Sequence, residues 1–337
     1  MRKLFSPFWL LTVGAALAIA TFGVLWFWPS SDYIFLPDKA QPVAPLVSVK
    51  GEHRPRDGGG IYFVDVIVRR ARLIESLFPS LRDGATLVPA NVVNPPGGND
   101  TARIAEDLRE MTRSQQIAAA VALHALGYKV VAKPTGALIS EVATDAPATG
   151  HLEPTDVVIA VDGKPVKTPD DLRRLIGLHK PGERVRLTVR SGSGLRKVTL
   201  KTIPEPGDPK HPIIGVVVGQ SADIKLPFPV KIDAHGVGGP SAGLAFALDL
   251  MEELGKDVDH GYKVAATGEL GLDGSVNPIG GVKQKTIGAR KTKVDVFLVP
   301  AGDNAKEARK YAHGLRIIPV QSFRQALRAL ATLPPKT

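Results

Sequence analysis

Two glycine-rich segments in the C-terminal third of the chain carry residues that could do chemistry together. Ser241 lies in the run GGPSAG at 238–243, and Lys283 and Lys285 follow the glycine pair at 280–281. A serine hydroxyl becomes an effective nucleophile when a base takes its proton, and a lysine can be that base if burial lowers its pKa. The two segments therefore suggest a serine–lysine hydrolase.

The surroundings of Ser241 favour this chemistry. The apolar residues after it predict a helix from Ser241 to about Leu254. The first turn of a helix presents unpaired backbone N–H groups, which can stabilise the oxyanion of a tetrahedral intermediate. Gly238 and Gly239 would let a substrate backbone approach closely. The alternative is that Ser241 only caps the helix, as serines often do.

Lys285 is the candidate base. A helix beginning near Val282 would place Lys285 on the same face as Val282 and Ala289. In an apolar position the charged form is disfavoured, so the lysine pKa can fall by several units and the amine can accept a proton near neutral pH. The alternative is that Lys283 and Lys285 are both solvated.

The composition excludes several classes of function. The 337 residues are 44% hydrophobic, and the net charge of +10 is spread without a run of five basic residues, which argues against nucleic-acid binding. The absence of cysteine excludes disulfides, a thiol nucleophile and thiolate metal sites. The histidines show no zinc-binding spacing. We expect no cofactor and no metal.

The N-terminus predicts a membrane anchor. Phe8 to Trp28 is an uncharged stretch that would span ~30 Å as a helix, and Arg2 and Lys3 precede it. The positive charges indicate that the N-terminal end stays in the cytoplasm and that the remaining domains lie outside. A cleaved signal peptide is the alternative, with Ala18-Ile19-Ala20 as a small-residue site.

The region from Tyr128 to about Thr202 predicts a small β-rich module with two helices. Its segments Gly136-Ala137-Leu138-Ile139 and DVVIAVDGKPV at 156–166 resemble the PDZ family. The resemblance implies that an extended peptide adds as a strand beside Gly136, Ala137, Leu138 and Ile139. The alternative is a spacer that only positions the catalytic part.

From about Ile213 to Leu330 the sequence resembles the proteolytic domain of Lon proteases. The matching runs are GGPSAG at 238–243, TGEL at 267–270, GSV at 274–276 and PIGGVKQK at 278–285. The resemblance implies that Ser241 is the nucleophile and Lys285 the general base, with Lys283 outside the dyad. It also implies that the Thr267 hydroxyl helps to hold the lysine.

Other residues near the proposed dyad receive supporting roles. Gly238, Gly239 and Ala242 belong to the serine motif itself. Asp233 lies on the approach to the serine and is a candidate site or substrate-contact residue. A surface carboxylate at the end of a strand is an equally good interpretation of Asp233.

The whole chain resembles bacterial membrane-anchored, PDZ-domain-containing Lon-like proteases. It has no G-x-x-x-x-G-K-[ST] segment to cradle phosphates, so the expected activity is ATP-independent cleavage of unfolded or exposed segments of envelope proteins. The expected partners are polypeptide substrates, the membrane and other copies of the chain, since Lon-type proteolytic domains tend to assemble as rings.

The predicted fold class is α+β, with one transmembrane helix, a PDZ-like module and a mixed α/β Lon-type domain. We place a cytoplasmic tip and anchor at 1–30, a region of strands and a long helix at 31–127, the PDZ-like domain at 128–203 and the proteolytic domain at 204–337. Within 31–127, the segment from Ile61 to Val68 predicts one strand and Thr101 to Leu126 one helix. The region 31–127 suggests no chemistry.

Three rival functions remain open at this point. The run GPSAG also fits the G-x-S-x-G elbow of α/β-hydrolases, with Asp295 and His313 as possible triad partners. His235 would allow a serine–histidine arrangement. A rival from a different class is a non-catalytic membrane scaffold, in which the PDZ region holds peptides and the Lon-like part is a pseudoprotease.

Overall fold

The computed structural model describes residues 7–49, 58–94, 100–192 and 194–334. Within these residues the helices, numbered in chain order, are α1 Pro7–Phe27, α2 Leu73–Leu77, α3 Ala90–Val93, α4 Asp100–Ala125, α5 Pro169–Ile176, α6 Gly243–Glu253, α7 Val282–Lys291, α8 Asp303–Tyr311 and α9 Phe323–Ala331. Short 3-10 turns cover Ala44–Leu46, Pro79–Leu81 and Pro240–Ala242.

The strands of the same described residues fall into several small sheets and two larger ones. They are β1 Pro29–Pro37, β2 Gln41–Pro42, β3 Val47–Val49, β4 Gly60–Phe63, β5 Val66–Arg72, β6 Thr86–Val88, β7 Val131–Val142, β8 Val157–Val161, β9 Lys164–Pro165, β10 Arg184–Ser191, β11 Gly194–Lys201, β12 Ile203–Glu205, β13 Asp208–Ile213, β14 Val216–Lys225, β15 Val230–Ile232, β16 Lys263–Ala266, β17 Glu269–Leu270, β18 Val276–Asn277, β19 Val296–Pro300 and β20 Arg316–Val320. The α+β part of the predicted fold class is therefore confirmed.

A five-stranded sheet in the order β2-β4-β16-β19-β20 forms the centre of the C-terminal part. Strands β4, β16, β19 and β20 run parallel, and every residue of β19 is buried. A parallel strand covered on both faces needs a continuous apolar run, and Val296–Pro300 (VFLVP) provides one.

Alternate residues of this sheet serve two separate cores. Val296 and Leu298 pack with helices α4, α6 and α9, whereas Phe297 and Val299 pack with α7 and α8. This division follows from the two-residue period of a strand. The sheet thereby fixes α6 and α7, the two helices next to the serine and lysine motifs, on its opposite faces.

The region before residue 128 shares this core. Strand β4 pairs in parallel with β16, and β3 pairs with β15. The alanine-rich second half of α4 is buried against α6, with Ala118 and Ala122 fully enclosed. Small side chains allow this close helix contact, as the alanine content of the helix predicts.

The predicted strand from Ile61 to Val68 is divided between two sheets. Strand β4 ends at Phe63 in the central sheet, and β5 begins at Val66 in a separate sheet of order β5-β1-β6. The chain passes through Val64 and Asp65 between them. An apolar run alone does not reveal this break, because the two halves pair with partners far apart in the sequence.

A second large sheet holds strands β11, β10, β8, β7 and β14 in that order, with β9 beside β8. Helix α5 packs on it and begins with a capping box, in which Thr168 and Asp171 satisfy each other's backbone N–H groups. A separate apolar cluster fills the space between α5 and the sheet, including Leu172, Leu187 and Val158. This sheet is the predicted β-rich module, extended by β14.

The predicted membrane anchor requires a correction. Helix α1 covers Pro7–Phe27, close to the predicted span. Across the described residues, however, no helix combines the length and the apolar character that a bilayer crossing demands. The described residues therefore do not support the transmembrane part of the fold class, the attachment to a membrane through this helix or the predicted single-pass location. Arg2 and Lys3, which set the predicted orientation, lie outside the described residues.

Phe63 offers a test of the shared core. Its ring lies 6.1 Å from that of Phe246 on α6, and both side chains are almost fully buried. Because the cavity left by the ring cannot be refilled, Phe63→Ala should lower the free energy of unfolding by about 3–5 kcal/mol in urea titrations. The control Leu195→Ala, at a side chain 66% exposed, should change it by less than about 0.5 kcal/mol. Equal effects from the two variants would contradict a core shared with the region before residue 128.

Candidate active site

The turn that carries Ser241 is fixed from two sides. Gly239 has a φ of 81°, and the 3-10 turn Pro240–Ala242 leads directly into α6. The Ser241 carbonyl accepts hydrogen bonds from Gly268 N at 2.8 Å and from Thr267 Oγ1 at 3.1 Å. Ser241 therefore lies in the turn before the helix, rather than in its first turn as predicted.

Helix α4 supports the same turn from the other side. Gly239 N donates to the Asp107 carbonyl at 2.8 Å, and Ser114 Oγ donates to the Pro240 carbonyl at 2.9 Å. A Cβ on Gly238 would lie 2.6 Å from the Asp107 Cβ, which is closer than carbon atoms can pack. Glycine at 238 is thus required by the helix behind the turn.

Lys285 meets Ser241 across the interior of the protein. It lies in the first turn of α7, which begins after Gly281 in a left-handed conformation. Its side chain is buried, and Nζ donates to Ser241 Oγ at 2.7 Å and to Thr267 Oγ1 at 3.5 Å. The structure therefore brings together three of the predicted residues, Ser241, Thr267 and Lys285, which are far apart in the sequence.

Burial lowers the pKa of Lys285 to about 7, because water no longer solvates the ammonium. The carboxylate of Asp65 opposes this effect by favouring the charged amine. A substantial neutral fraction is then present at neutral pH. With its hydroxyl neighbour 2.7 Å away, the neutral amine can accept the Ser241 proton.

Asp65 is a member of the site that sequence reasoning missed. Burial raises the pKa of its carboxyl, with Asp38 adding to this and Lys285 opposing it. Its Oδ1 atom is buried without a hydrogen-bond partner among the described residues. The one available signal was an acid in the middle of the apolar run Ile61–Val68, where a strand interior would not usually place it.

Lys283 is directed away from Ser241. Its Nζ donates to the Ala85 carbonyl at 2.9 Å and to Thr86 Oγ1 at 3.2 Å, and it lies 5.8 Å from the centre of the Tyr311 ring. The two lysines of the motif thus have separate environments. Lys283 joins α7 to the strand β6, and Lys285 enters the site.

A cavity of about 850 Å³ opens in front of the serine and lysine. Its walls come from three of the four predicted parts of the chain, which are 31–127, 128–203 and 204–337. The cavity is lined by the loops around Ser241 and Lys285, residues between 103 and 117 of α4, the segment after β4 and one stretch of β7. The β7 stretch comprises Leu138, Ile139, Ser140 and Glu141.

Acidic side chains concentrate along the α4 wall of the cavity. Burial, together with the nearby carboxylates of Glu106, Asp107 and Glu269, raises the pKa of Glu110 to about 7. Burial also lowers the pKa of Arg113 to about 10, although the carboxylates of Glu269 and Glu110 oppose that change. These groups were not predicted, because nothing in the sequence of α4 shows which face it turns to the cavity.

The predicted supporting residues divide into two groups. Gly238, Gly239 and Ala242 line the cavity, and Thr267 touches both Ser241 and Lys285. Asp233 is exposed and is not among the cavity-lining residues. Its carboxylate accepts the backbone N–H of His235 at 3.0 Å, which stabilises the approach to the serine turn.

The rival partners of Ser241 lie elsewhere. Asp295 and His313 are not among the described residues that line the cavity. His235 does line it, but its Nδ1 atom lies 3.4 Å from the Asp233 carboxylate. Lys285 is the titratable group that lies at hydrogen-bond distance from the Ser241 hydroxyl in the described part of the chain.

The predicted peptide-binding segment lies inside a sheet. Ala137, Leu138 and Ile139 pair with β14 on one side, and Ala137 and Leu138 pair with β8 on the other. Gly136 lies within β7, where an added Cβ would be 2.5 Å from Val157 Cγ1 and 2.7 Å from the Val158 carbonyl oxygen, so this position of the strand requires glycine. The strand edge expected to receive a peptide is covered by the chain itself.

Three carboxylates form a cluster outside the cavity. The oxygens of Glu252, Asp257 and Asp259 lie within 4.8 Å of one another, which is a possible arrangement for a cation. Glu252 Oε1 already accepts the backbone N–H groups of Val258 and Asp259. The cluster therefore has an evident role in ordering the loop after α6.

Comparison with known proteins covers both parts of this arrangement. The family model of the Lon protease (S16) C-terminal proteolytic domain matches residues 220–332, which include Ser241, Thr267 and Lys285. The PDZ domain model matches residues 124–202. The chain carries a Lon-type proteolytic domain and a PDZ domain.

Individual relatives agree with this assignment. Lon protease 2 of Bacillus subtilis is 35% identical over 34% of this chain, and the Lon protease of Chloroflexus aggregans is 40% identical over 28% of it. A probable periplasmic serine endoprotease DegP-like of Ectopseudomonas mendocina is 44% identical over 22% of this chain. The matches cover only 20%, 12% and 16% of those relatives, respectively.

A solved structure is also similar. The crystal structure of the PDZ domain of an SdrC-like protein from Listeria monocytogenes matches 25% of this chain and 87% of that chain, at 23% identity and a TM-score of 0.24. The Lon and PDZ matches are consistent with a PDZ-containing Lon-like protease and support a serine peptidase. The Lon-type domain contributes the serine and the lysine, and the PDZ domain contributes one wall of the cavity.

The lowered pKa of Lys285 predicts a pH-dependent stability. Below about pH 7 the lysine is charged in both states, whereas between about 7 and the ordinary value near 10.4 only the unfolded state keeps its proton. The free energy of unfolding of the wild type should therefore rise with pH across this window, relative to Lys285→Met. Urea titrations of both proteins from pH 6 to 10 measure this difference. A difference independent of pH would contradict a lowered lysine pKa.

Proposed function

We propose that this protein is an ATP-independent serine endopeptidase in which Ser241 is the nucleophile and Lys285 the general base. The observation that carries the proposal is the 2.7 Å contact between the Ser241 hydroxyl and a buried amine. Burying a lysine costs free energy, and no carboxylate of the described residues lies at hydrogen-bond distance to offset that cost, so the burial has little structural purpose.

The chemistry follows from this contact. Neutral Lys285 accepts the hydroxyl proton while Ser241 Oγ attacks the peptide carbonyl, and the carbonyl oxygen becomes an oxyanion. The ammonium then gives the proton to the leaving amine as the C–N bond breaks. A water molecule, deprotonated by the same amine, hydrolyses the acyl-enzyme and restores the serine.

Neighbouring groups support these steps. We assign to Thr267 the positioning of the amine, since its hydroxyl touches Nζ and is itself held by the Ser241 carbonyl. Ser241 and Ala242 lie in the 3-10 turn Pro240–Ala242, and the N–H groups at the start of such a turn have no carbonyl of the same turn to donate to. These two N–H groups are the candidates to bind the oxyanion. Gly238 and Gly239 leave room for the substrate backbone.

The substrates of this proposal are unfolded or exposed polypeptide segments. A PDZ domain and a proteolytic domain both fit the binding of peptides. The sequence has no G-x-x-x-x-G-K-[ST] segment, the loop that binds the phosphates of ATP in motor domains that unfold proteins. We therefore expect casein, a protein without stable structure, to be cleaved equally well with and without ATP. Assembly into a ring of copies is part of the proposal, by analogy with Lon-type domains.

Substitution of the two proposed catalytic groups tests the assignment. Ser241→Ala and Lys285→Ala should each lower kcat/KM for casein-derived peptides by at least about a thousand-fold, because the nucleophile or its base is lost. The matched control is Lys283→Ala, which removes the other lysine of the motif and its hydrogen bonds to Ala85 and Thr86. It should retain most of the activity.

Two outcomes of that experiment would contradict the proposal. Equal loss of activity in Lys283→Ala and Lys285→Ala, with both proteins folded, would contradict the assignment of Lys285 as the general base. No cleavage by the wild type, with Ser241→Ala indistinguishable from it, would favour the non-catalytic scaffold.

The pH dependence of catalysis is a separate prediction. Because burial lowers the pKa of Lys285 to about 7, kcat/KM should rise with pH through about 7 as the amine loses its proton. Steady-state rates on a peptide without titratable groups, from pH 5.5 to 9, give the profile. A rate that stays constant across this range would show that no group of this pKa acts as the base.

A further inference from the structure

The PDZ domain has a strand edge that the rest of the chain covers. Within the PDZ-matching residues 124–202, β7 pairs with β8. Strand β14, which pairs antiparallel along the other side of β7, begins at Val216, beyond the end of the match. The PDZ unit alone would thus present β7 as an open edge, and β14 closes it.

Strand β14 lies between β7 and the start of α5. The register places Val218 opposite Ile139 and Gln220 opposite Ala137. The Gln220 side-chain amide donates to the Gly136 carbonyl at 3.2 Å and to the Lys167 carbonyl, just before α5, at 2.8 Å. An added peptide strand in PDZ recognition pairs with a sheet edge in the same way.

The side chains of β14 bind it to two cores. Val216 and Val218 pack against the PDZ core, whereas Ile224, near the other end of the strand, packs against the core of the proteolytic domain. The first half of β14 therefore behaves as a bound peptide, and the second half connects that peptide to the Lon-type domain.

The same strand touches the wall of the cavity. Arg113 Nη2 of α4 donates to the Gln220 carbonyl at 2.6 Å, and Arg113 lines the cavity in front of Ser241. The β7 residues Leu138 and Ile139, which β14 covers, line it as well. Departure of β14 would release one hydrogen bond of the α4 wall and expose the β7 wall.

We propose that β14 is the resident ligand of the PDZ groove and that an external extended peptide binds there only by displacing it. The PDZ domain is then self-occupied, and its release changes a wall of the cavity. This inference rests on strand pairing and does not depend on Ser241 being catalytic. A peptide that binds the groove would resemble β14, with valine-like residues at alternate positions and an amide side chain.

An engineered disulfide tests the displacement directly, because the chain has no cysteine of its own. Val217 and Glu141 are opposite each other in the register, and Val217 is exposed. Opposed residues of antiparallel strands lie about 4.5–5.5 Å apart at Cα, within the range of disulfides. The probe is a fluorescein-labelled peptide with the sequence of residues 214–223, and binding is read by fluorescence polarisation.

In the Val217→Cys, Glu141→Cys protein, the oxidised form should not bind the probe, and reduction should restore the binding. Val218→Asp, which weakens the hold of β14 on the PDZ core, should bind the probe at least about 10-fold more tightly than the wild type, since the groove is open more often. The matched control Val217→Asn introduces a polar but uncharged side chain at an exposed position of the same strand, opposite Glu141, and should bind like the wild type.

Equal affinity of the oxidised and reduced forms would overturn the proposal, because the probe would then bind without moving β14. Absence of binding to every form, including Gln220→Ala as a milder way to loosen β14, would overturn it as well. None of these measurements uses peptidase activity, so a failure here is distinct from a failure of the proposed function.

Discussion

The site depends on one contact, in which the buried amine of Lys285 is held away from water beside the hydroxyl of Ser241. A buried ammonium without an ion pair at hydrogen-bond distance is costly, and proteins usually avoid it by letting the group lose its proton. Lys285 is 5% exposed, and within the described part of the chain its Nζ forms hydrogen bonds with the hydroxyl oxygens of Ser241 and Thr267. Asp65 moderates the cost without pairing with the amine. The surrounding fold must therefore be stable enough to keep the Lys285 amine buried, although the charged form of that amine is more stable in water.

The central sheet supplies that stability. Its strands are covered on both faces, and the serine turn and the lysine helix are attached to opposite sides of it. Thr267, just beyond the end of β16, is the fixed point between them, since its hydroxyl reaches both the Ser241 carbonyl and the Lys285 amine. A strand that ends at the contact between two helices positions the pair without a flexible loop.

The boundaries suggested by the sequence do not separate the parts of the site. Strand β4 and helix α4, both before residue 128, complete the sheet and support the serine turn. The PDZ domain contributes β7 to the cavity, and β14 joins its sheet to the proteolytic core. Three of the predicted parts of the chain therefore contribute to the walls of the same cavity.

Ser241 and Lys285 could be predicted from the sequence because each stands beside a glycine pair at the start of a predicted helix, and this pattern is visible in the neighbouring residues alone. That local information placed Ser241 and Lys285 in turns at the starts of α6 and α7, and the Lon resemblance paired them. It could not place Asp65, which enters the site because β4 pairs with β16 some two hundred residues later. It also could not show that β14 covers β7, since strand pairing depends on partners remote in sequence. The predicted anchor rested on length and hydropathy alone, and the described helices do not support it.

The reactivity of Ser241 towards a fluorophosphonate, located by peptide mapping with mass spectrometry, shows whether Lys285 activates this serine. We expect one adduct, on Ser241, whose rate of formation rises through about pH 7 and falls to background in Lys285→Met. An adduct on another residue, or a rate at Ser241 that is unchanged when Lys285 is replaced, would contradict the proposed serine–lysine pair.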